Sequence, residues 1–314
     1  MNVFIRSPKY RPPGSPSSRD VHAAAHISNC AVRPQTDLSV RLRPTQKRAV
    51  RAINQHIHFA SAVAGRLIGR NPHQASEASV CPHDLMCGVT IILPGIEAIG
   101  PYPEEIRGGL RDGQVPGAIE IFHWGLPFPE GYFRNLMDIR RNRRQAAALA
   151  GIILAHQDQY PQSTIHLVAN SGGAGPALMA IEMLPLNRPI AGIAILAGAA
   201  SCGYNLRPVL ARCTKGVLNS YSRRDALMLN LGTRIFGTTD RKFAPSCGYR
   251  GFTMHDNKVQ QLEWTAAYGP QCGWWGTHGT STSRQFISSH IATWIKAPVS
   301  MVPKQSTGIY ERNI

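Results

Sequence analysis

Acidic residues are scarce in this 314-residue chain: 18 Asp and Glu stand against 34 Lys and Arg, for a formal charge of +16. Long apolar runs are missing too. No stretch of about 18 apolar residues occurs, so no membrane-spanning helix is expected, and no recognisable signal peptide opens the chain. A cytoplasmic address is the default expectation. The seven cysteines (Cys30, Cys81, Cys87, Cys202, Cys213, Cys247 and Cys272) are scattered and contain no C-x-x-C pair. Neither a zinc site nor a dense disulfide framework is indicated. Pairing of Cys81 with Cys87, or of Cys202 with Cys213, is expected only in an oxidising compartment. Internal repeats are absent, as are the G-x-G-x-x-G and G-K-[ST] patterns that cradle nucleotide phosphates.

The charge is unevenly spread. Residues 1–80 hold 12 Lys and Arg against 3 Asp and Glu, a surplus of +9. Pro and Ser interrupt this leader (RSPKYRPPGSPSSRD), a composition that buries too little apolar surface to offset chain entropy. The expectation is a basic, disordered leader, with weak contact to anionic surfaces as its functional reading and no specific nucleic-acid site. Within it, HFASAVAGRLIG (58–69) reads as a surface or amphipathic helix.

From Gly88 the pattern changes to short β-rich runs alternating with helical ones, which predicts a parallel sheet with helices on both faces. The strands are GVTIILPG, GAIEIFHWG, STIHLVANS, AGIAILAGAA, GVLNSYSRRD and VQQLEWT. Helices are expected in PEEIRGGLRDG, over about 140–160, in GPALMAIEML and in SRQFISSHIATWI. Ala146, Leu149, Ile152 and Ile153 form the apolar stripe of the long helix, and Arg140, Arg141, Arg143 and Arg144 read as a solvated shoulder. In the closing helix Phe286, Ile287, His290, Ile291 and Trp294 share one spacing. The predicted organisation is a leader (1–80), one α/β domain (81–298) and a tail (299–314).

The stretch VANSGGAG sets one serine, Ser171, among glycines where the third strand becomes a helix. A serine on such a turn needs small neighbours, because the backbone is strained and the helix passes close to the strand. Ala169, Gly172 and Gly173 meet that need. The carboxyl end of a parallel strand is also where ligands gather in open sheets. The backbone N–H of Gly172 lies at a helix start, which favours developing negative charge. A second donor would be the N–H of Ile96, in the loop after the first strand, where Gly95 permits close approach.

These residues resemble the α/β-hydrolase superfamily, whose nucleophile turn reads G-x-S-x-G and whose catalytic residues run serine, acid, histidine along the chain. Here the turn is Ala169-Asn170-Ser171-Gly172-Gly173, with alanine at the first position. The resemblance spans about 88–297, and it implies an α/β-hydrolase fold with no large lid domain, since 201–216 is short. It further implies a Ser171–Asp225–His278 triad. Asp225 follows the fifth strand, with Asp240 and Asp256 as competitors. His278 lies in the glycine-rich loop before the last helix. His290 reads instead as a packed helix residue and His255 as a loop residue, while Trp274 and Trp275 read as packing or pocket wall. The segment 226–258 is placed to border the acyl or alcohol site.

The implied activity is hydrolysis of a carboxylic ester, less readily a thioester or amide, on a small-molecule or lipid substrate. No metal or organic cofactor is required. The competing expectation is an idle binding protein on the same fold, its basic leader holding an anionic partner.

Overall fold

The computed structural model describes residues 82–98, 100–126, 131–226, 229 and 236–298. The leader, with the helix expected at 58–69, Cys30, Cys81 and the tail 299–314 lie outside the described residues. After a short helix α1 (Pro82–Cys87), the chain alternates strand and helix: β1 (Val89–Leu93), α2 (Pro101–Asp112), β2 (Ala118–Ile121), α3 (Gly131–Met137), α4 (Ile139–Gln159), β3 (Ile165–Asn170) and α5 (Ala174–Met183). Then come β4 (Ile190–Leu196), α6 (Arg207–Leu210), β5 (Cys213–Tyr221), α7 (Cys247–Arg250), β6 (Val259–Glu263) and α8 (Tyr268–Cys272). A 3-10 turn, His278–Thr282, precedes the closing helix, whose parts are α9 (Arg284–Phe286), a π turn (Ile287–Ile291) and α10 (Ala292–Lys296).

The six strands form one parallel sheet in the order β2-β1-β3-β4-β5-β6. Its central strands are apolar on both faces, as strands covered by helices on each side must be. Alternation sends Leu93, Leu167, Ala169, Ile195 and Val217 to one face, where they meet Leu149 and Ile153 of α4 and Leu178 and Ile181 of α5. Ile92, Val168, Ala194 and Leu218 point to the other, against Ile106 and Leu110 of α2 and Phe286, Ile287 and Ile291 of the closing helix. On that second face α2 meets the closing helix closely: a methyl at Gly109 would lie 2.6 Å from Ile287 Cβ and 2.7 Å from the Arg284 carbonyl oxygen.

The Asp138 side chain caps α4 by accepting from the backbone N–H of Arg141 at 3.0 Å. Ala146, Leu149 and Ile153 are buried as the periodicity predicts, with Ile152 partly covered. The basic shoulder departs from expectation at one position. Arg140, Arg143 and Arg144 are exposed, but Arg141 is buried, its guanidinium donating to the Trp124 carbonyl and to Asn135 Oδ1 at 3.2 Å. The physical reason is those acceptors: a buried guanidinium is tolerated where oxygens take its N–H groups, and both lie outside α4, on α3 and in the loop after β2.

His290 follows expectation in part, packing against Phe286 and Tyr268 with ring centroids 5.1 and 5.2 Å away while keeping some exposure. Cys202 and Cys213 do not pair; both are free thiols, Cys213 buried on β5. Between β4 and β5 the chain forms only the four-residue α6, so no lid is inserted there. Among the described residues, no helix is long and apolar enough to cross a membrane.

Lys215 of β5 turns inward beneath the closing helix. Its ammonium donates to the carbonyls of Trp294, Ile295 (3.1 Å) and Ala297, and it lies 5.0 Å from the centre of the Trp294 ring. One buried cation therefore caps the end of α10 from the sheet below. Lys215→Met should lower unfolding free energy by about 2 kcal/mol, read by urea denaturation, because charge-assisted bonds to orphan helix carbonyls are lost.

Candidate active site

At the end of β3 the backbone enters the left-handed region at Ser171, with φ +50°. A non-glycine residue there is strained, and strain of this kind persists only where surroundings hold it. The holding contacts are visible. Ala199 donates its backbone N–H to the Ser171 carbonyl at 2.9 Å, tying the turn to the end of β4. On the other side, a methyl at Gly172 would collide with Ile96 Cγ2, and one at Gly173 would lie 2.5 Å from the Pro94 carbonyl oxygen and 2.7 Å from that of Leu93. The two glycines thus let the loop after β1 press on the turn after β3.

That loop is itself braced. Trp124 Nε1 donates to the Pro94 carbonyl at 2.8 Å, and Asn135 Nδ2 donates to the Ile96 carbonyl at 2.8 Å. Asn135 also bonds both backbone groups of Leu126 at 2.8 Å and accepts from Arg141, so all of its polar capacity is engaged in the interior. The Ile96 nitrogen comes within 3.4 Å of where a Gly172 Cβ would stand. Gly172 lies in the 3-10 turn Ser171–Gly173 that leads into α5, where amides have no carbonyl one turn back. The residues that carry the two expected amides, Ile96 and Gly172, are therefore in contact next to Ser171.

The structure brings Ser171, Asp225 and His278 together. His278 Nε2 lies 2.9 Å from Ser171 Oγ, and its Nδ1 lies 2.7 Å from Asp225 Oδ2. Asp225 is buried just beyond β5, where its backbone N–H bonds the Ser222 carbonyl at 3.1 Å. His278 begins the 3-10 turn ahead of the closing helix, and its carbonyl accepts from Ser281 Oγ at 2.8 Å. The competing residues go elsewhere. Asp240 accepts from the Ser201 backbone at 2.8 Å and from its hydroxyl at 2.6 Å; Asp256 accepts from the Lys258 backbone at 2.8 Å; His255 is exposed. Trp274 is buried against Phe286, whereas Trp275 is 53% exposed.

Electrostatics set the imidazole. Burial alone would push the His278 pKa down, but the charge and hydrogen bond of Asp225, with a smaller contribution from Glu97, outweigh it and hold the pKa above its ordinary 6.5. Glu97 shows the opposite balance. Burial raises its carboxyl pKa, against lowering by two backbone amides and the His278 charge. Among the described residues, no group of three or more His, Cys, Asp and Glu is arranged to hold a metal.

Three side chains from three strand ends thus converge: a serine on a strained turn after β3, a carboxylate after β5 and an imidazole after β6, around a parallel sheet with helices on both faces. The chain has an open α/β fold, a six-stranded parallel sheet in the order β2-β1-β3-β4-β5-β6. Solved structures to which it is similar include SOBER1 of Arabidopsis thaliana, at 16% identity over 67% of this chain and 97% of that one, TM-score 0.39. Another is a Trichoderma reesei cutinase in complex with a phosphonate inhibitor, at 11% identity over 91% and 99%, TM-score 0.37. No protein-family model and no curated protein matches the chain.

Within this fold, sequence reasoning missed the bracing residues Trp124, Asn135 and Arg141, and also Glu97. The first three carry no motif, since each acts through backbone groups far away in the chain. Glu97 had one available signal, its place directly after the Gly95-Ile96 pair. Asn135→Leu should cost about 3 kcal/mol of stability by leaving buried polar groups unpaired. It should also accelerate amide hydrogen exchange across residues 94–98, which mass spectrometry would detect.

Proposed function

We propose that the protein is a serine hydrolase that cleaves carboxylic esters through an acyl-enzyme on Ser171. The observation that carries this reading is the continuous contact chain Ser171 Oγ, His278 and Asp225, at 2.9 and 2.7 Å. A hydroxyl becomes nucleophilic when a base within hydrogen-bond reach takes its proton, and the base needs a carboxylate to fix its tautomer and stabilise its charged form. His278 Nε2 takes the Ser171 proton as Oγ bonds to the substrate carbonyl carbon. Asp225 keeps Nδ1 protonated and compensates the imidazolium. The negative oxygen of the tetrahedral intermediate accepts from the amides of Ile96 and Gly172, an effect worth about 3 kcal/mol per donor.

Collapse of the intermediate then breaks the bond to the alcohol, which leaves with the proton from His278. Water repeats the sequence in reverse, with His278 as base, to release the acid and restore the serine. The substrates this suits are small-molecule or lipid esters, and none of these steps calls for a metal or organic cofactor.

A fluorophosphonate probe should label the wild-type protein, and Ser171→Ala should abolish labelling while lowering ester hydrolysis at least about 10³-fold. An unlabelled wild type would overturn the assignment.

The pH dependence follows from His278. Catalysis needs the neutral ring, so kcat/KM should rise with pH along a limb whose midpoint lies above 6.5, the ordinary histidine value. Asp225→Asn should move that midpoint down, because it removes the main charge that favours the imidazolium. The same raised pKa gives a stabilising contribution that is complete below the unfolded value of 6.5 and disappears as pH rises through the folded one.

A further inference from the structure

The chain is strongly basic, yet the loop that carries Ile96 also carries a carboxylate. Among the described residues, Glu97 forms no salt bridge with Lys or Arg. Its recorded side-chain partner is the backbone N–H of Gly95, which donates to Oε1 at 3.0 Å. Glu97 is half-buried.

Its position is fixed by the same contacts that hold the loop. Ile96, one residue earlier, presses on Gly172 and is tied through its carbonyl to Asn135. Burial, and after it the charge of Glu97, raises the pKa of Tyr102, whose hydroxyl lies 2.8 Å from where a Cβ of Gly279, the residue after His278, would stand. A carboxylate one residue from Ile96, whose charge acts on both Tyr102 and His278, also acts on a charge that a substrate carries near its scissile carbonyl.

We propose that Glu97 is a specificity-determining residue that makes the site select esters by charge, favouring acyl groups that bear an ammonium and excluding those that bear a carboxylate. This rests on the hydrolase reading above. A half-buried carboxylate with incomplete compensation gains when a cation arrives and loses when a second anion does. The ring of Tyr102 adds a surface that cations favour. The long-range field of a +16 chain attracts anions. A preference for the cationic ester therefore has to originate locally.

The test compares three p-nitrophenyl esters of similar length at pH 8: butyrate (neutral), hemisuccinate (anionic) and 4-(trimethylammonio)butyrate (cationic). Wild type should show a kcat/KM for the cationic ester about tenfold or more above that for the anionic one. Glu97→Gln keeps an acceptor for the Gly95 amide and should reduce that ratio by about tenfold, while Glu97→Asp should retain most of it. Circular dichroism checks that the variants fold.

A ratio unchanged in a folded, active Glu97→Gln protein would overturn the proposal. If that variant does not fold, wild type decides alone, and a preference for the anionic ester overturns it. Failure of wild type to hydrolyse any of the three, with no fluorophosphonate labelling, would remove the hydrolase reading and this inference with it. Labelling and hydrolysis without charge selection would remove only the inference.

Discussion

The contact between the loop after β1 and the turn after β3 is the constraint on which the site depends. At Gly172 and Gly173 there is no space for even a methyl group, because Ile96, Pro94 and Leu93 occupy it. That closeness brings the Ile96 nitrogen within 3.4 Å of where a Gly172 Cβ would stand, next to Ser171 at a positive φ that the chain would otherwise avoid. It also explains why buried polar groups surround the loop. Trp124 and Asn135 bond its carbonyls, and Arg141 bonds both residues in turn, Trp124 through its carbonyl and Asn135 through its side chain. Each buried group in this network has a partner because leaving one unpaired costs more than a typical bond contributes.

The charge arrangement at the site runs against the character of the chain. Around one imidazole stand Asp225, fully engaged at 2.7 Å, and Glu97, bonded to backbone alone. The first fixes the orientation of the ring and raises its proton affinity. The second contributes a weaker field and remains partly open to whatever occupies the site. Burial acts on both sides of the pairing, disfavouring the imidazolium and the Glu97 carboxylate alike, so the mutual attraction of opposite charges decides the outcome at His278.

Much of this was legible along the chain. All six strands appear where β-rich runs predicted them, and α2, α4 and α5 where periodicity did, because each buries enough apolar surface for its own pattern to dominate. The closing helix was legible in position but not in form. Its π turn over Ile287–Ile291 arises where α2 packs closely through Gly109, a contact between segments far apart in sequence. Arg141 was misread for a related reason. Its neighbours on α4 are solvated, and the oxygens that allow its burial belong to Trp124 and Asn135. Glu97 drew no reading along the chain, since nothing local reveals that among the described residues it forms no salt bridge with Lys or Arg.

What the amino-acid order determined by itself was the alternation of strand and helix, the small residues around Ser171, and the sequence of serine, acid and imidazole at successive strand ends. These are local properties, written in hydrophobic period and side-chain size. The tertiary structure alone decided that Asp225, rather than Asp240 or Asp256, meets His278, that Ile96 presses on Gly172, and that, among the described residues, Glu97 forms no salt bridge with Lys or Arg. Such matters depend on which strand ends become neighbours when the sheet closes, and distance across a sheet leaves no mark on adjacent residues.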